Sequence, residues 1–176
     1  MAARRGQHTH AFTLIELIIV TLVIGILAAS VVPAITQLDQ ARRAAAADEI
    51  ERLLVVARSI AGTTGEATGV DIDPVANTIA LIRVARDGSG VGPADDPTGQ
   101  PTQPVVLDVM FGGAEINSFV NGDGTSGTGV VWFWFDGTPQ TRDPDGANPI
   151  PFSEDAVITL AGGQTVTVRM YSGLVE

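Results

Sequence analysis

The sequence predicts an α+β fold: a long N-terminal hydrophobic α-helix, membrane-spanning in its first part and amphipathic in its second, packed against a mostly antiparallel β-sheet C-terminal domain. Three observations predict it. Residues 12–35 carry a single charged side chain, Glu16. Residues 36–60 hold neither Gly nor Pro and repeat apolar residues at three- and four-residue spacing, the pattern of a one-sided helix. Beyond Gly65 the chain breaks into short β-branched and aromatic runs parted by Gly, Pro and Asp.

Residues 1–11 read as a polar leader with Arg4 and Arg5 and no acid. Such a leader favours an N-terminus left in the cytoplasm, with the bulk of the chain across the membrane. At about 1.5 Å per residue, residues 12–35 make a helix of roughly 36 Å, enough to cross a bilayer core of about 30 Å. The run is too long for a secretory signal, and no small-residue cleavage site closes it. Glu16 within hydrocarbon costs about 2.5–3.5 kcal/mol at the bilayer centre and less near an edge, so something is expected to repay that cost.

Residues 36–63 continue the helix. Leu38, Ala41, Ala45, Ile50, Leu53, Leu54, Ala57 and Ile60 form the apolar stripe. Asp39 with Arg43 and Asp48 with Arg52 are acid-before-base pairs at i,i+4, with Glu49 and Glu51 on other faces. Gly62-Thr63-Thr64-Gly65 ends the helix. Residues 12–61 then make one rod of about 75 Å. Pro33 lacks the amide that would bond Ala29 and is expected to bend or locally melt it.

Residues 64–176 form the β-rich domain. Strands are expected over 78–86, 105–111, 116–120 and 130–135. A final hairpin is expected from 156–161 and 165–171 about Gly162-Gly163-Gln164. Residues 87–104, 122–129 and 138–149 read as loops, and Asp136-Gly137 closes the aromatic strand. In the last strand Val166, Val168 and Met170 share one face. Trp132-Phe133-Trp134-Phe135 is bulky on both faces. It reads as a central strand covered by the helix on one side and a second sheet on the other, or as a strand with one face on a partner.

Charge and composition exclude several functions. The formal net charge is −10, and no lysine is present. Nucleic acid is therefore not expected as a partner. There is no cysteine, hence no disulfide or thiolate metal site. The histidines, His8 and His10, both lie in the leader. A chain without them lacks the commonest general base, and no enzyme activity is expected. Asp71 with Asp73, and Asp95 with Asp96, read as solvated loop acids rather than a catalytic carboxylate pair. No cofactor is expected. The nearest approach to a Ca²⁺ loop is Asn121-Gly122-Asp123-Gly124-Thr125-Ser126, with Asn121 and Asp123 as weak candidate ligands; it lacks a closing bidentate Glu. Asp143, Asp145 and Asn148 form a weaker one, and both read first as turns.

Ala11 followed by Phe12-Thr13-Leu14-Ile15-Glu16-Leu17 resembles the prepilin cleavage and methylation motif of type IV pilins and type II secretion pseudopilins. The resemblance implies a pilin fold, cleavage between Ala11 and Phe12 by a prepilin peptidase, and N-methylation of Phe12. Glu16 then matches the family's glutamate at the fifth mature position and Pro33 its proline at the twenty-second. Ala11 departs from the usual Gly before the cut. The family role of Glu16 is assembly: its carboxylate pairs with the methylated amine of a neighbouring subunit and sets the axial register.

The C-terminal half narrows the resemblance. Phe133-Trp134-Phe135-Asp136-Gly137, then Val157-Ile158-Thr159-Leu160, Val166-Thr167-Val168 and Ser172-Gly173-Leu174-Val175 is similar to minor pseudopilin H and FimT-type minor pilins, with Leu174 in place of the usual Arg. This implies a structural subunit of the type II secretion pseudopilus, a periplasmic filament for protein export. Its expected partners are other pseudopilins or pilins, the prepilin peptidase, an inner-membrane assembly platform and membrane lipid. Its expected location is the cell inner membrane, single-pass, with the C-terminal domain periplasmic. The alternative is a minor pilin of a type IV pilus, serving assembly, adhesion or DNA uptake.

Overall fold

A computed structural model describes residues 13–85, 90–95 and 99–176, and leaves out the side chains of 30–34. The chain divides into two compact units, Met1–Leu38 and Asp39–Glu176. Helix α1 (Leu14–Thr64) contributes to both.

In the first unit, Thr13 starts the helix. Its hydroxyl accepts from the Glu16 amide at 3.3 Å, and its carbonyl accepts from the Glu16 and Leu17 amides. Thr-x-x-Glu is the order of a helix-capping pair, and it places the acid in the first turn, near the positive end of the helix. The side chains from Leu14 to Leu27 are exposed, Leu14 at 77% and Ile26 at 63%. The Thr21 hydroxyl donates to the Leu17 and Ile18 carbonyls, so the helix satisfies its own polar group there. Among the described residues no helix is long and apolar enough to cross a membrane. Of the expected span 12–35, Phe12 and the side chains of 30–34 lie outside those residues. α1 continues unbroken through position 33, so it does not melt at the proline.

In the second unit the helix buries Ala46, Ile50, Leu53, Leu54, Ala57 and Ala61. The stripe is thus the expected one from Ile50 to Ala57; Ala61 closes it, and the expected Ile60 is only partly buried. Ala46 rather than Ala45 opens it, and Ala41 stays exposed. The expected i,i+4 ion pairs give way to i,i+3 pairs. Arg42 meets Asp39 at 3.5 Å, and Arg52 meets Glu49 at 2.6 Å. Gly62 lies inside the helix; the stop is Gly65, whose φ of +74° a side chain would resist.

The β elements are β1 (Thr68–Asp73), β2 (Thr78–Val84), β3 (Val91–Pro93), β4 (Val105–Val106), β5 (Ile116–Val120), β6 (Gly129–Phe133), β7 (Pro139–Thr141), β8 (Ile150–Pro151), β9 (Ala156–Leu160) and β10 (Thr165–Val168), with a one-turn helix α2 (Leu107–Met110). One sheet has the order β3-β2-β1-β6-β7-β8, with β4 also beside β2; a second has the order β10-β9-β5. Every pairing of these strands is antiparallel.

Several expectations are corrected. β1, read as loop, is a central strand paired with β2 and β6. β3 and β7 lie in segments read as loops. Residues 105–111 extend only to Val106. The Leu107 amide then donates to the Asn77 carbonyl and the Phe111 amide to the Leu107 carbonyl, which closes α2. β6 stops at Phe133, because the Trp134 amide turns back to the Thr138 carbonyl and the Gly137 amide to that of Trp134. Phe135 is left 54% exposed.

The core is shared. Helix residues Ile50, Leu53 and Leu54 pack in one cluster with Val70, Ile72, Val131 and Phe133 of the first sheet and Phe119, Ile158, Leu160 and Val168 of the second. Both sheets thus pack on one core with the helix. The core-facing side of β6 is Val131 and Phe133, and Trp132 stands on the other side. The final hairpin forms about the expected turn with Val166 and Val168 buried, but β10 stops at Val168, short of the expected 171, and Met170 lies in a turn.

Candidate functional site

The expected processing residues, Ala11 and Phe12, lie outside the described residues, as does the side chain of Pro33. Glu16 is described: it is exposed, in the first turn of α1, with its amide held by Thr13. Sequence reasoning missed the Thr13–Glu16 cap; its signal was Thr-x-x-Glu before an apolar run.

The candidate Ca²⁺ loop is a network of turns. The Asn121 Oδ1 accepts from the Gly122 amide at 2.9 Å, and its Nδ2 donates to the Val130 carbonyl. The Asp123 Oδ1 accepts from the Thr125 amide at 2.9 Å and hydroxyl at 2.6 Å. Burial alone would raise the Asp123 carboxyl, but these bonds hold it below the usual carboxylate range. In the other acidic loop Asp143 Oδ2 accepts from Asn148, and Asp145 Oδ1 accepts from the Ala147 amide. Among the described residues no three acidic or histidine side chains are grouped to hold a metal ion.

The acid pairs separate into different environments. Asp95 takes an ion pair from Arg83 at 2.7 Å, whereas Asp96 lies outside the described residues. Asp73 Oδ1 accepts from the Val75 and Ala76 amides and the Thr128 hydroxyl, and it is held low by them. Asp71 is half-buried, and burial pushes its carboxyl up, with the Asp73 charge adding to the rise.

Asp71 belongs to a groove that sequence reasoning missed. On the sheet face away from the core, Ala80, Ile82, Val130 and Trp132 line a concavity of about 770 Å³. Asp71 stands opposite Ala80 on β2 and opposite Val130 on β6. Loop residues, among them Thr102, Asn121 and Arg142, wall it in. The strand alternation Val70-Asp71-Ile72-Asp73 was the available signal. Arg142 stacks on Trp134, 5.0 Å from the ring centre, and donates to the Gly146 carbonyl at 2.5 Å.

Residues 7–32 match the prokaryotic N-terminal methylation motif. No curated protein matches the chain in sequence. Two similar solved structures are both of the minor pseudopilin EpsH from the type 2 secretion system of Vibrio cholerae. One is 16% identical with a TM-score of 0.48, over 74% of this chain and 90% of that one. The other is 15% identical with a TM-score of 0.45, over 70% and 93%.

Proposed function

We propose that this type IV pilin-like chain is a non-enzymatic minor pseudopilin of the H type, a structural subunit of a type II secretion pseudopilus. Prepilin peptidase cuts between Ala11 and Phe12 and methylates the new N-terminus. Residues 12–35 hold the subunit in the inner membrane, with the β domain in the periplasm. An inner-membrane platform then builds it, with other pseudopilins, into a filament. The energy comes from a separate ATPase, since the sequence has no phosphate-binding loop.

The observation that carries this reading is the methylation motif over residues 7–32, with Glu16 in its register. The exposed apolar surface of residues 14–27 supports it, because such a surface needs lipid or neighbouring helices to cover it. Glu16 on that surface is tolerated where the amine of an adjacent Phe12 supplies its countercharge.

The second reading is a minor pilin of a type IV pilus, favoured by the motif alone. DNA uptake fits poorly a sequence with a formal net charge of −10 and no lysine. Mass spectrometry of the native protein tests the reading. A mature chain beginning at methylated Phe12 is expected, and a retained leader overturns it. Crosslinking in cells then separates the two systems: secretion components as neighbours support the pseudopilus, and a retraction motor supports the pilus.

A further inference from the structure

We propose that the groove on the outer face of the sheet docks an extended segment of another protein, which presents an arginine or lysine to Asp71. The proposal does not rest on the pseudopilin reading.

The charge balance of the groove is the first argument. An opposite charge directly across the ladder stabilises a carboxylate on a middle strand. Here the cross-strand neighbours are Ala80 and Val130, neither of which carries charge. Asp73, two residues on, is another acid, already satisfied by two amides and a hydroxyl. The cation in the wall, Arg142, is turned to the Trp134 ring and the Gly146 carbonyl. Asp123 and Asp143 also line the groove and add to its negative field.

Shape is the second argument. The floor crosses three neighbouring strands, roughly 10 Å at 4.7–4.9 Å per strand, wide enough for one extended backbone. Ala80, Ile82, Val130 and Trp132 give that backbone an apolar bed. A lysine or arginine lays its aliphatic stem on such a bed and carries its charge to the acid at the centre.

Among the described residues the chain's own arginines are engaged elsewhere, which leaves the cation to a different protein. The chain has no lysine. Arg42, Arg52, Arg83 and Arg169 are in ion pairs with acids of the same chain. Arg43 and Arg58 lie against the glycine turns at Gly162 and Gly137.

The test is a titration of the isotopically labelled full chain in detergent micelles with a capped Ala-Val-Arg-Val-Ala peptide at millimolar concentration. A second peptide carries citrulline, the uncharged isostere, in place of arginine. The expected result is amide shifts at Asp71, Val130 and Trp132, a roughly tenfold weaker response to citrulline, and the same loss in Asp71→Asn. Asp155→Asn, outside the groove, keeps the response. Equal binding of the two peptides, or an unchanged response in Asp71→Asn, overturns the proposal. So do shifts confined to other surfaces. Competition by spermidine as strong as the peptide's own binding would make the ligand a free amine. Self-association abolished by Asp71→Asn would make it a second copy. Either result overturns the proposal as stated.

Discussion

The Trp132 ring lies over Gly69: a Cβ placed on Gly69 would stand 2.9 Å from Trp132 Cε3 and 2.7 Å from the Val131 carbonyl oxygen. The two residues face each other across β1 and β6. Glycine at 69 therefore lets the indole lie flat on the sheet and form part of the groove floor.

Gly69→Ala follows directly. The backbone carbonyl cannot give way easily, so the added methyl overpacks the site at a cost of about 1–3 kcal/mol. Urea unfolding of the full chain measures it; an unchanged midpoint would mean the strands separate freely at this point.

Leu54 is fully buried where helix and both sheets meet. Leu54→Ala should cost about 2–5 kcal/mol through lost transfer energy and a residual cavity. A change at the level of an exposed site, under about 0.5 kcal/mol, would show that the helix is not part of this core.

Asp71→Asn should raise stability at neutral pH. The folded protein holds this carboxyl above its ordinary value by burial and by Asp73. Its contribution is therefore fully present below about pH 3.9 and is lost as pH rises through the raised value. The variant's advantage should accordingly appear above that window and vanish in acid. Thermal melts at pH 3 and pH 7 compare the two chains, and a variant less stable at pH 7 would contradict the assignment.

Asp155 behaves in the opposite sense. The Met170 amide donates to its Oδ1 at 2.8 Å and Arg169 to its Oδ2 at 2.8 Å, and they hold it below the usual carboxylate range. Arg169 also meets the Glu176 carboxylate, and the Glu176 backbone exchanges hydrogen bonds with Thr167. Stability from Asp155 is present above its unfolded value and is lost as pH falls through the depressed one. Asp155→Asn should thus be destabilising at pH 6, with the deficit shrinking as acid protonates the parent chain. A deficit independent of pH would assign the effect to shape alone.

Glu16→Ala should leave the chain in the membrane fraction and nearly abolish its entry into filaments. Removing one member of a buried charge pair costs about 3–5 kcal/mol, a factor above a hundred in an equilibrium. Immunoblots of sheared filaments and membranes give the two readouts. Normal filament entry would leave the carboxylate without a register role.

Much of the fold is legible along the chain because it rests on local rules. Ile50, Leu53, Leu54 and Ala57 announce a helix face by spacing, and all four are buried. Gly162 and Gly163, both at positive φ, announce the turn between β9 and β10. β1 escaped reading because its alternation is short and set among turn formers; one of its two ladders comes from β6, some sixty residues away. Trp134 and Phe135 look like strand, yet a hydrogen bond to Thr138 takes the backbone away. Val105 opens a run whose apolar residues suit strand or helix, and the Asn77 carbonyl decides for a turn of helix at Leu107.

The sequence by itself determined the apolar N-terminal segment, the amphipathic face of the helix and the final hairpin. These depend on residues within one or two turns of each other, where spacing fixes geometry. Only the tertiary structure decided what each acid meets from distant parts of the chain. Asp73 takes two amides from its own turn and gains the Thr128 hydroxyl from another strand's approach, whereas Asp71 faces the uncharged Ala80 and Val130 across its ladders. Electrostatic energy follows distance through space and burial, and strands brought together from distant parts of the chain set both.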